Sequence, residues 1–146
     1  MLIWKIIFRI FEETIVMKMR VFQESESRKD EFLEKFLDVY WHSNLSQNQI
    51  IKRILKSKAK RYYAPVEYAY RYVSMMERGK DIPCHGLTRQ MYIDIYKRYK
   101  IVSAQHKDLK KIEIITKVVY EEAPQYYISL KTATDYVNAI KNSLLK

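Results

Sequence analysis

At 146 residues and 48% hydrophobic composition, the chain is long enough to bury one core and too apolar to stay disordered. Two glycines among 30% charged residues exclude a fold built on tight β-turns, and the single cysteine, Cys84, excludes an intrachain disulfide, so a reducing, cytoplasmic setting is expected. The net charge of +10 sits almost wholly in the middle third, where residues 51–100 hold thirteen Lys/Arg against four Asp/Glu; phosphate backbones, anionic headgroups or an acidic protein would each be drawn to it.

The first sixteen residues, MLIWKIIFRIFEETIV, are much more apolar than the rest of the chain, yet Lys5, Arg9, Glu12 and Glu13 interrupt them at helical spacing, and they show neither a basic start nor a small-residue cleavage site. They read as an amphipathic helix, not as a membrane span or a signal peptide. Such a helix docks on the core or covers a partner or a membrane interface. Met17 offers a second start, which would leave the segment outside the natural protein. After the polar stretch Gln23–Lys29, the residues Phe32, Leu33, Phe36, Leu37 and Tyr40 fall on one face and predict the first core helix, within a domain spanning 17–146.

Ser46 opens S-Q-N-Q, a capping box, and predicts a helix from about Gln47 to Lys58 with Ile50, Ile51, Ile54 and Leu55 inside. Pro65 suits the first turn of the next helix, with Tyr68, Ala69, Tyr72, Val73 and Met76 inward until Gly79 stops it. The segment GKDIPCHG, residues 79–86, carries both glycines and one of the three prolines and is the expected boundary between halves. Thr88 is expected to cap a helix with Met91, Tyr92, Ile95, Tyr96 and Tyr99 inside, and Asp108 a helix with Ile112, Ile115, Val118 and Val119 inside. A last helix starts after Ser129, with Ala133, Tyr136, Val137, Ile140 and Leu144 inward.

The second and third of the core helices recur 64 positions later: Ile50, Ile54, Ala59, Tyr62, Tyr63, Ala69, Tyr72 and Val73 match Ile114, Val118, Ala123, Tyr126, Tyr127, Ala133, Tyr136 and Val137. At an offset of 63 the match extends back to Phe32 and Phe36, which meet Ile95 and Tyr99. The expected fold is therefore all-α, a single bundle of about six helices built from two related three-helix units near 30–78 and 88–145.

Whatever the copies do not share is where a specific role could sit. Lys56, Lys58, Lys60 and Arg61 align with Tyr120, Glu122, Pro124 and Gln125, so only the first copy is cationic. Lys52, Arg53, Lys56, Lys58, Lys60 and Arg61 form a run of six cations without an acid, leading into Tyr62 and Tyr63. Such a run is ordinarily a solvated face, and paired tyrosines ordinarily bury their rings while their hydroxyls bond free carbonyls at a helix end. In a functional role the cations would hold phosphates and a tyrosine ring would stack on bases. Further basic groups are Arg71, Arg78, Lys80 and Arg89, and Lys97, Arg98 and Lys100.

Enzyme chemistry finds little to stand on. His42, His85 and His106 lie far apart without a carboxylate at metal-site spacing, Cys84-His85 reads as loop, and no glycine-rich phosphate loop is present. No catalytic residue, metal or cofactor is assigned. The motifs AKRYYAPVEYAYRYV and APQYYISLKTATDYV resemble small uncharacterised helical proteins of gut bacteria and their phages or mobile elements, over residues 50–80 and 114–140. That resemblance implies a phage or mobile-element context and supplies no catalytic residue. The expected function is non-catalytic nucleic-acid binding through the first-copy cations, with a structural or adaptor protein acting through protein contacts as the alternative. A protein partner or a second copy thus stands behind nucleic acid among the expected partners, and a membrane surface comes last.

Overall fold

The computed structural model describes residues 2–144, and these form six α-helices: α1 Leu2–His42, α2 Gln47–Leu55, α3 Val66–Glu77, α4 Gly86–Gln105, α5 Lys111–Val119 and α6 Leu130–Leu144. The all-helical bundle expected from the periodicity is the architecture found. Among the described residues no helix is long and apolar enough to cross a membrane.

Helix α1 is where local sequence misleads. The polar stretch Gln23–Lys29 does not separate two helices, because none of its residues breaks a helix and the backbone runs unbroken for 41 residues, about 60 Å. Its C-terminal part carries Phe32, Leu33 and Phe36 into the core, whereas Tyr40, expected inward, is 51% exposed because the helix runs past the edge of the bundle there.

The capping box at Ser46 is formed: the hydroxyl accepts from the Gln49 N–H at 3.3 Å and the Gln49 side chain accepts from the Ser46 N–H at 2.9 Å. Ser129 caps α6 in a related way, accepting from the Thr132 N–H at 3.1 Å. Thr88 and Asp108 do not cap their helices; α4 starts three residues earlier with His85 as N-cap, and α5 starts after Lys110. In α5, Ile112, expected inward, is 43% exposed, and Ile114 is buried with Ile115, Val118 and Val119, the four that share one face at 100° per residue. Leu144 has no described side chain and Leu145 lies outside the described residues, so the C-terminal end of the expected inward face is not placed.

One core joins all six helices. The helices group as α1 with α2 and α6, and α4 with α5 and α3, and no close backbone packing links α2 to α3 or α5 to α6. The contiguous triplets expected from sequence are thus not the packed triplets. Each third helix crosses to the other half. The connections that carry them across, residues 56–65 and 120–129, meet at a two-residue antiparallel bridge in which Ala59 and Ala123 exchange hydrogen bonds of 3.0 and 2.9 Å. Both alanines are 1% exposed. A larger side chain at either has no room, which is why the crossing uses the smallest chiral residue.

Candidate functional site

The eight residues singled out for nucleic acid separate into three groups once the crossing is in place. Lys52, Arg53, Lys56 and Lys60 are exposed and form no ion pair among the described residues; the first three share one outer side at the end of α2, Lys56 as its C-cap. Lys58 is exposed but lies 3.4 Å from Glu122 across the alanine bridge. The third group, Arg61, Tyr62 and Tyr63, is drawn into the structure.

Arg61 sits under α1. Its Nη2 is 2.8 Å from Glu24 Oε2 with both side chains about four-fifths buried, at 20% and 19% exposure, in an ion pair whose angles are not those of a hydrogen bond. Its guanidinium also lies over the rings of Tyr120 and Tyr63, 4.2 and 5.3 Å from their centroids. A guanidinium held this way has no free face for a phosphate. Tyr62 is 5% exposed and stacks on Tyr127 at 6.1 Å between ring centroids, so it cannot stack on a base.

Tyr63 donates its hydroxyl to Glu31 Oε1 at 2.7 Å, and the same oxygen accepts the Lys60 N–H at 2.8 Å. The tyrosine hydroxyls do not go to helix-end carbonyls as expected. The second tyrosine of each pair goes to a carboxylate instead: besides Tyr63, Tyr127 donates to Asp94 Oδ2 at 2.6 Å, and Asp94 follows Glu31 by the same 63 positions that relate Phe32 to Ile95. Burial first, and then the adjacent carboxylate, raises the Tyr63 and Tyr127 hydroxyls well above the usual tyrosine pKa. Tyr126, 1% exposed against Phe32, is raised by burial and by Glu31. Tyr127 holds a left-handed backbone at φ 56°, a conformation costing a bulky residue about 1 kcal/mol or more.

The other basic groups are also partly committed. Arg89 pairs with Asp81 at 2.6 Å, Arg98 with Glu121 at 2.7 Å, and the Lys100 ammonium lies 4.7 Å from the centre of the Tyr96 ring. Residues that the sequence did not single out, Glu24, Glu31, Asp94, Tyr120 and Glu122, turn out to be the partners that set these positions. The signal for two of them was present, since Glu31 and Asp94 precede Phe32 and Ile95 in the extended alignment. No cluster of three or more His, Cys, Asp or Glu with metal-site geometry occurs among the described residues.

A second feature lies at the other end of α1. From Leu2 to Met19 the helix stands clear of the bundle; Trp4, Phe8 and Phe11 are 75, 63 and 62% exposed, and Phe22 just beyond is 67% exposed. Ile3, Ile6, Ile7, Ile10, Ile15 and Met19 are exposed beside them. At 100° per residue these side chains occupy roughly two-thirds of the helix circumference, leaving Lys5, Arg9, Glu12 and Glu13 on the remaining strip. Towards the body α1 is fastened by ion pairs of Arg20 with Glu67 and Glu24 with Arg61.

No protein-family model, curated protein or solved structure matches the chain.

Proposed function

We propose that the protein is a non-enzymatic docking and assembly component, a helical body that presents the apolar N-terminal arm of α1 to another protein. The single observation that carries this reading is the arm itself. A free helix with large apolar side chains over most of its circumference, from Leu2 to Met19, is stable in water only when something covers it. The strip left polar carries two cations and two anions, so it has no net charge to draw it to anionic lipid, and this favours a protein surface over a membrane. The body contributes rigidity: the crossed connections and the two ion pairs fix the direction in which the arm leaves. The scaffold itself is two copies of one helical unit, a reading supported by helix bounds that stand 64 positions apart in α2 and α5.

The test is site-specific photo-cross-linking in living cells, with a benzophenone side chain at Ile7 on the arm and at Tyr70 on the body as control. Discrete protein adducts at Ile7 and none at Tyr70 are expected. Lipid adducts alone, or no adduct at either site, would reject the reading.

The exposed row on α2 favours a second role, contact with a nucleic-acid backbone. Lys52, Arg53, Lys56 and Lys60 are free to meet phosphates, whereas Lys58, Arg61, Tyr62 and Tyr63 are engaged within the fold. Four phosphate contacts give a log–log salt dependence of roughly −4. Titrating labelled duplex and single strands at two salt concentrations should give that slope, and changing all four cations to Gln should abolish binding without unfolding; binding indifferent to those changes would leave the row as solvated surface.

A further inference from the structure

Building on the docking role of the arm, we infer that its partner is a second copy of this chain, paired antiparallel along the seam of Trp4, Phe8, Phe11 and Ile15. These four residues recur at spacings of four, three and four along one side of the helix, the pattern that lets side chains of two helices interdigitate. All four are exposed, and Trp4, Phe8 and Phe11 line an apolar groove with Lys5 and Ile7. The seam is self-complementary about a two-fold axis between Phe8 and Phe11. Phe8 of one copy then faces Phe11 of the other, and Trp4 faces Ile15.

Charge selects the antiparallel direction. Lys5 and Glu12 lie along the same edge of this seam, seven residues apart. In the antiparallel pair the Lys5 of each copy comes alongside the Glu12 of the other, within about half a helical turn. In a parallel pair the charged edges of the two copies fall on opposite sides of the seam, so neither Lys5 nor Glu12 meets a counter-charge. The parallel pair also brings the two bodies, which hold most of the +10 net charge, side by side, whereas the antiparallel pair puts them at opposite ends of an overlap of about 30 Å.

The purified full-length chain carries the test. Sedimentation equilibrium is expected to give twice 17.7 kDa. In a Cys84→Ser background, mixing Trp4→Cys with Ile15→Cys chains under mild oxidation is expected to give the mixed 4–15 disulfide in preference to 4–4 and 15–15. Lys5→Glu should weaken association at least tenfold, and adding Glu12→Lys should restore it. Phe8→Gln with Phe11→Gln should give a monomer whose body keeps its helical signal and melting temperature, because neither residue touches the body. A monomeric wild-type chain, predominant 4–4 and 15–15 disulfides, or a charge swap that fails to rescue would each overturn the inference. A monomer that instead sediments with vesicles of phosphatidylglycerol would overturn it in favour of a membrane surface. A purified monomer that still forms discrete adducts to a different protein in cells would overturn the self-pairing and leave the docking role standing.

Discussion

Glu31 and Asp94 show how single side chains hold this fold. Each carboxylate accepts a tyrosine hydroxyl from a crossing connection, Tyr63 at 2.7 Å and Tyr127 at 2.6 Å. Both hydroxyls have their pKa raised, by burial first and then by the carboxylate, as have Tyr62 and Tyr126. The folded state therefore binds these protons more tightly than the unfolded chain, where tyrosine titrates near 10. Their stabilising contribution is complete below about pH 10 and is lost as the pH climbs from there toward the folded values. The melting temperature should be flat between roughly pH 7 and 9 and fall steeply above 10. Replacing Tyr63 and Tyr127 together by Phe should make that fall shallower, and an unchanged fall would remove the tyrosines from the account. The tyrosine pairs were legible in the sequence as a repeated motif. Their partners were not named there, because a carboxylate thirty residues upstream carries no local mark of what it will meet.

At the scale of elements, α1 is one long rod joined to the body along its C-terminal half. Glu31, 6% exposed, accepts both the Lys60 N–H and the Tyr63 hydroxyl, and Lys35 donates to the Lys58 carbonyl at 2.6 Å past the end of α2. Glu31→Leu leaves two partly buried donors without an acceptor, which costs roughly 1–3 kcal/mol, whereas Glu31→Gln keeps a carbonyl oxygen in place and should cost about half of that or less. Urea denaturation of the three proteins measures the order, and a Leu variant as stable as wild type would show that the carboxylate is dispensable. Periodicity found all six helices and the capping box at Ser46. It split α1 at Gln23–Lys29 because polarity was read as a break, although a solvated rod needs no apolar face there and those residues propagate a helix well. The start of α5 was misjudged because Asp108 is a good cap by type, whereas the turn after α4 extends to Lys110.

For the whole molecule the deciding feature is the exchange of third helices. α3 rests on α4 and α5, fastened by Lys111 to Glu77 and to Ser74, while α6 rests on α1 and α2, fastened by Gln47 to Asn138 at 3.1 Å. Neither half can close its own core. A protease site inserted into the exposed 79–81 turn should therefore yield, once cut, two fragments that co-elute at the mass of the intact chain and separate only in denaturant; fragments that part under native conditions would show the halves to be independent. The crossing also engages part of the cationic run: Lys58 lies opposite Glu122, and Arg61 over the Tyr120 ring.

The sequence by itself determined the helical class, the helices of the body, most of the inward faces and the two tyrosine connections, because these follow from the 3.6-residue period and from caps formed by near neighbours. It also showed the apolar arm and the cationic run as compositions. Only the tertiary structure decided that Arg61, Tyr62 and Tyr63 are enclosed, that Lys58 is paired, and that the arm stays uncovered as far as Met19. Whether a side chain is free or engaged depends on contacts between residues 30 to 100 positions apart, and those are set by which half receives each third helix, a choice no local pattern encodes.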